Sequence, residues 1–183
     1  MVFGRDSRLE KIGVNAFACT NIDVFIAPLS LRTVSQGAFN NCQALKRVIL
    51  NEGLEALGTS ERPDDKQWYY GVFQDTAVEE INLPSTLKRI KYSAFQNCKH
   101  LKSVALPKGL EKIGEGCFYE SEIEQIILPD SVVEISESAF YSCGNLKSVA
   151  FGKSSRLQKI GIGAFDSSGL EEFTAPPSLR IIS

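Results

Sequence analysis

Catalysis at neutral pH usually draws on histidine, cysteine or clustered carboxylates. This 183-residue sequence holds one histidine, His100, and five cysteines: Cys19, Cys42, Cys98, Cys117 and Cys143. His100 stands alone beside an apolar strand pattern, so a solvated or packing role is expected of it. No CxxC pair occurs, which leaves a zinc site without support. The odd cysteine count and wide spacing argue against a disulfide framework. An enzyme needs a nucleophile and a base in one pocket, and one histidine with scattered serines does not supply them. We therefore expect no enzymatic activity and no cofactor.

The chemistry that remains is recognition. The segment Thr59 to Tyr70 holds the only tryptophan, Trp68, followed by Tyr69 and Tyr70. Aromatic and arginine side chains are enriched where proteins bind one another. The bland alternative is a loop whose Trp68 folds back on its own scaffold. The formal net charge is -2, from 20 basic and 22 acidic residues, so nothing pulls the chain toward nucleic acid or an anionic membrane. No apolar run reaches the roughly 18 residues a membrane helix needs.

The elements that would carry such residues are read from a repeat. A small residue precedes Phe again and again: Ala16-Phe17, Ala38-Phe39, Val72-Phe73, Ala94-Phe95, Cys117-Phe118, Ala139-Phe140 and Ala164-Phe165. Five residues earlier stands an aliphatic in most copies, as at Ile12, Val34, Ile90 and Ile113. Five or six residues later comes aliphatic-x-x-aliphatic-x-aliphatic, as in Leu45-Val48-Leu50 and Ile123-Ile126-Leu128, usually with proline next. That alternation fits a short strand with one face buried. Proline ends it, having no N–H for a ladder. A Phe recurring in every turn is expected to stack inside a solenoid, since one turn alone cannot bury it.

The Phe-to-Phe steps are 22, 34, 22, 23, 22 and 25 residues. Turns alternate between a short form, with five residues from Phe to the next aliphatic, and a long form with six. The long turns carry Cys42, Cys98 and Cys143. The unit is thus a pair of turns. These cysteines fall two turns, about 10 Å, apart, beyond the roughly 7 Å limit for a disulfide. Buried free thiols are expected. Of the 34-residue step, 11 residues are an insertion, near positions 58–70. Phe3-Gly4-Arg5-Asp6-Ser7-Arg8-Leu9 matches Phe151 to Leu157, so the chain reads as opening mid-repeat, and it reads as closing mid-repeat near Ile182. The expectation is one repeat domain over residues 1–183, of about eight turns, cut from a longer array.

The pattern Leu-x-x-Ile-x-x-x-Ala-Phe-x-x-Cys-x-x-Leu-x-x-Val-x-Leu-Pro, as in Leu87 to Pro107, closely resembles the BspA-type leucine-rich repeat. The resemblance implies a right-handed, mainly β solenoid with a parallel sheet on its concave face and an irregular or short-helical convex side. It further implies a surface or secreted protein that adheres to host or extracellular-matrix proteins. An intracellular repeat scaffold is the alternative, consistent with unpaired thiols.

Outward strand positions are then the candidate contact surface. The first column alternates in sign through Asp23, Lys46, Glu79, Lys102, Glu124, Lys147 and Glu171, which predicts a ladder of ion pairs. The next contains Arg47. A third runs Ile26, Ile49, Asn82, Ala105, Ile127, Ala150 and Thr174, unusually apolar for a solvent-facing row. A connected apolar stripe would mark a partner surface. Ile26, Ile49, Ile127, Arg47, Trp68, Tyr69 and Tyr70 are the candidate partner-binding residues.

Overall fold

The computed structural model describes residues 1, 3–4, 6–59 and 70–183. Eight two-residue strands form one parallel sheet: β1 (Lys11–Ile12), β3 (Thr33–Val34), β5 (Ala56–Leu57), β7 (Arg89–Ile90), β8 (Lys112–Ile113), β10 (Glu134–Ile135), β12 (Lys159–Ile160) and β13 (Ile181–Ile182). They enclose about seven complete turns, one fewer than the count made from the repeats. In the seven strands before β13, the second residue is buried, so this sheet turns an aliphatic row inward and keeps Lys, Arg, Glu or Thr on the outside in most turns.

The aliphatic pattern after each Phe makes a second side, the strand face. There β2 (Val24–Ile26), β4 (Arg47–Ile49) and β6 (Glu80–Asn82) form one parallel sheet, and β9 (Gln125–Leu128) and β11 (Ser148–Phe151) form another. Proline ends most of these segments, with Asn51 after the β4 segment and Gly152 after β11, and opens a tight turn that returns the chain to the first sheet: Leu31 N–H donates to Pro28 O at 3.0 Å, and Leu87, Leu110 and Val132 repeat the bond to Pro84, Pro107 and Pro129 at 2.9–3.1 Å. The expected strand at Leu101–Leu106 is absent.

Between the two sides runs the phenylalanine stack. Phe39, Phe73, Phe95, Phe118 and Phe140 are fully buried. Rings of successive turns, Phe17 through Phe165, lie 5.2–5.7 Å apart, 5–17° from parallel. Such offset stacks add about 0.5–1.5 kcal/mol each beyond the area buried.

The third side carries no helix among the described residues, so of the irregular or short-helical backbone expected there it has the irregular form. The cause is local. Two residues after each Phe the backbone is left-handed, with φ of 53–57° at Cys19, Asn41, Asp75, Asn97, Glu120, Ser142 and Ser167. Two residues before most Phe it is left-handed again, at Asn15, Gly37, Ser93, Gly116, Ser138 and Gly163. A helix cannot run through such positions. Each turn is instead locked to the next by backbone bonds: Phe39 N–H donates to Val72 O at 2.9 Å, and Asn41 N–H to Gln74 O at 2.9 Å. Gly71 is required by crowding, because a Cβ there would lie 1.6 Å from Ser93 O.

The cysteines explain the two-turn unit. Three residues after Phe, short turns carry Thr20, Thr76, Ser121 and Ser168, and long turns carry Cys42, Cys98 and Cys143. The hydroxyls of Thr20 and Thr76 donate to the carbonyls of Phe17 and Phe73, each at 2.8 Å. The thiol of the following long turn donates to the same carbonyls, Cys42 to Phe17 O and Cys98 to Phe73 O, and Cys143, beside the Ser121 hydroxyl, donates to Phe118 O, at 3.0–3.1 Å. One carbonyl thus knits a short turn to a long one. All five cysteines are free. Four are buried as expected, and Cys19 is exposed. The buried thiols are hydrogen-bond donors at three positions as well as small hydrophobes. Burial pushes the Cys98 thiol up to about 12 and raises those of Cys117 and Cys143.

Candidate functional site: the strand face

Parallel pairing places like columns of the repeat side by side. Val24, Arg47 and Glu80 are in register, as are Ile26, Ile49 and Asn82. On the other sheet Gln125 pairs Ser148 and Ile127 pairs Ala150. The inward residues between them, Phe25, Val48 and Ile126, are at most 1% exposed, which fixes the neighbours outward by the period of two.

The charged column forms pairs rather than a continuous rail. Lys46 meets Glu79 at 3.3 Å and Lys102 meets Glu124 at 3.4 Å. Arg47 meets Glu80 at 3.6 Å in the next column. These side chains are half to three-quarters exposed, so each pair adds about 0–1 kcal/mol. Their effect is to leave little free charge on this part of the face.

The apolar column is not one stripe. Ile26 and Ile49 are half-buried beside each other, and exposed Asn82 follows. Exposed Ala105, Ile127 and Ala150 form the second stretch. Ile127 is 68% exposed, well above Ile26 and Ile49. It borders a shallow hollow of about 460 Å³ with Lys108, Leu128, Pro129, Asp130 and Gly152. Arg47 and Ile49 line a separate hollow of about 420 Å³ with Glu80 and Asn82.

The remaining candidates are elsewhere. Tyr70 is 39% exposed and lies just before Val72-Phe73, on the turn side, 3.5 Å from where a Gly37 Cβ would stand. Trp68 and Tyr69 fall outside the described residues. The structure therefore sets Ile26, Ile49 and Arg47 together, sets Ile127 apart from them on the same face, and does not bring Tyr70 to either. The residues around Ile127 were not singled out from the sequence, although a signal existed. Gly152 breaks the proline column of Pro84, Pro107, Pro129 and Pro176. The Asp130 carboxylate occupies the space, lying 2.0 Å from where a Gly152 Cβ would be.

Other chemistry is sparse. His100 is exposed. Among the described residues no group of His, Cys, Asp and Glu could hold a metal ion, and no helix is long and apolar enough to cross a membrane. Glu134, on the eight-stranded sheet, sits between Lys112 at 3.4 Å and Lys159 at 3.3 Å. Partial burial raises its pKa, but the two ammonium groups outweigh that and hold the carboxyl below its ordinary value.

The fold recurs in solved structures. A leucine-rich repeat protein of T. pallidum is 24% identical, with a TM-score of 0.69 over 86% of this chain and 69% of that one. One from Bacteroides ovatus is 23% identical, with a TM-score of 0.59 over 93% of this chain. A leucine-rich cell surface protein of Faecalibacterium prausnitzii is 17% identical, with a TM-score of 0.55 over 87% of this chain. This chain spans 48% of the Bacteroides ovatus protein and 50% of the Faecalibacterium prausnitzii protein. No curated protein matches the sequence. The profile described as BspA type leucine-rich repeat region matches six copies, over residues 5–61 and 66–183. The chain belongs to the BspA-type leucine-rich-repeat family.

Proposed function

We propose that this chain is the protein-binding module of a larger, surface-exposed adhesion protein, and that Ile127 anchors the partner. The observation that carries the reading is the setting of Ile127. A large aliphatic side chain stands 68% exposed on a sheet, with Ser103, Gln125, Ser148, Ala105 and Ala150 as its column and row neighbours. Burying it under a partner is worth about 1.5–3 kcal/mol. The adjoining strand residues carry no charge, so covering them strips little hydration, whereas Lys108 and Asp130 across the hollow and the Lys102–Glu124 pair lie at the rim where charge orients an encounter. The partner is another protein, of the host or its extracellular matrix. Nucleic acid does not fit a face whose charges alternate in sign. Ile26, Ile49 and Arg47 form a second, more recessed patch; Tyr70, with Trp68 and Tyr69, would supply a separate contact. The Faecalibacterium prausnitzii relative, described as a cell surface protein, supports the surface location.

A second reading, an intracellular scaffold, is favoured by five free thiols, since exported proteins usually pair theirs. Protease treatment of intact producing cells separates the two. Loss of the chain supports the surface reading, and full protection contradicts it. The contact itself is tested by capture from extracellular-matrix proteins, comparing the wild type with Ile127→Glu and with Ile162→Glu, an exposed isoleucine on a different side. We expect Ile127→Glu alone to abolish capture. Equal capture by all three refutes Ile127 as the anchor.

A further inference from the structure

We propose that the solenoid bends at a seam on its strand face, between β6 and the segment Ser103–Leu106, with the eight-stranded sheet as the hinge. Three features coincide at this step. In the first charged column, the amide of each turn donates to the carbonyl one turn back: Lys46 to Asp23, Glu79 to Lys46, Glu124 to Lys102 and Lys147 to Glu124, at 2.8–2.9 Å. Lys102 does not donate to Glu79, and among the described residues no amide from Lys102 to Lys108 donates to the turn before it. The only other exception in this column is Glu171, in the last turn.

The two ion pairs of this column, Lys46 to Glu79 and Lys102 to Glu124, fall on either side of the step. The core loosens there too. Ile81 and Val104, the inward residues on either side, are half-buried, whereas Phe25, Val48 and Ile126 are at most 1% exposed. Val149 and Phe173, in the last two turns, are also half-buried. Finally, Phe73 and Phe95 have the widest spacing of the parallel stack, 5.7 Å against 5.2–5.4 Å.

The other two sides stay closed across this step. Ala56 pairs Arg89 and Leu57 pairs Ile90 on the eight-stranded sheet. Phe73 N–H donates to Ala94 O at 2.8 Å and Asp75 N–H to Gln96 O at 3.0 Å on the turn side. A stack joined on two sides and free on the third can open only as a wedge. The wedge changes the angle between the Arg47–Ile49 part of the face and the Ile127 part, so that the face adapts to the curvature of what it meets. The inference does not depend on which partner that is.

Paired spin labels test it on the whole chain. In a Cys19→Ala background the other cysteines are buried and do not label. One pair, Asp23→Cys with Glu79→Cys, spans two turn steps inside the β2–β4–β6 sheet. The second, Lys46→Cys with Lys102→Cys, also spans two steps but crosses the seam. We expect dipolar spectra of the second pair to show a broader distance distribution with a longer component absent from the first. Equal widths and a single component in both overturn the hinge.

Discussion

The two sheets of this solenoid are built from the same turns but differ in regularity. The eight-stranded sheet is unbroken from β1 to β13, although its strands have two residues each. The strand face has longer strands, yet it is divided into a three-stranded and a two-stranded sheet. Strand length therefore does not decide continuity. In all but the last turn of the first sheet the inward residue is a buried aliphatic, and the row that follows it is closed by a backbone bond at every step, from Ser35 N–H on Ile12 O to Ser183 N–H on Ile160 O. On the strand face the inward residue varies from fully buried Phe25 to half-buried Val104. The side that holds the stack together is uniform. The other side varies in charge, size and pairing, and the proposed contact lies there.

Substitutions on the two sides should differ in their cost. The largest effect is expected from the stack between the sheets: Phe118→Ala should cost about 3–5 kcal/mol in chemical denaturation, because neighbours on both sides keep the cavity from collapsing. Ile113→Ala, on the continuous sheet, should cost about 2–5 kcal/mol. Val104→Ala, at the seam, should cost about 1 kcal/mol or less, since its side chain already meets solvent. Similar losses at Ile113 and Val104 would erase the distinction between the two sides.

The thiol bonds come next. Cys98→Ala should cost about 1–2 kcal/mol, from a small cavity and one lost donor to Phe73 O. A double-mutant cycle with Thr76→Val should show coupling, because both groups serve that carbonyl. In native, unreduced protein near pH 8, a thiol reagent should find one reactive group, Cys19, and five after denaturation. Rapid reaction of more than one in the native state would contradict the burial described.

Smaller still is the Glu134 bridge on the continuous sheet. Its carboxyl titrates below the ordinary value, so its contribution is complete above the unfolded pKa and is lost as pH falls through the lowered folded one. Although the Glu134 side chain is only 26% exposed, both ammonium groups reach solvent, so Glu134→Gln should cost about 1 kcal/mol at pH 7 and nothing well below the folded pKa.

Much of the fold was legible because stacking repeats a pattern until chance is excluded. The Phe ladder, the buried aliphatic before it and the proline that ends most strands all follow from residue type and spacing. For the turn side the sequence left irregular and short-helical backbone as alternatives, and the structure has the irregular one. Its left-handed residues are Asn, Asp, Ser, Glu and Cys as well as Gly, and only Asn and Gly announce such a backbone. The role of Thr20, Thr76 and Ser121 was also hidden, since a hydroxyl three residues after Phe has meaning only when the next turn's cysteine is placed beside it. Of the candidate contact residues, the outward direction of Ile127 could be read from the period of two, but its greater exposure than Ile26 and Ile49 could not. That depends on the small neighbours Ala105 and Ala150 in adjoining turns. The seam was invisible, because Leu101-Val104-Leu106 carries the same pattern as the copies that do form strands.

Residue-resolved hydrogen exchange tests the contrast between the two sides most directly. The account predicts unbroken protection along the eight-stranded sheet, including the Lys91 amide on Leu57 O and the Gly114 amide on Ile90 O. It predicts slow exchange at Gln125–Leu128 and Ser148–Phe151, and fast exchange at Ser103–Leu106. Protection of Ser103–Leu106 equal to that of Gln125–Leu128, or a gap in protection between β5 and β8, would contradict it.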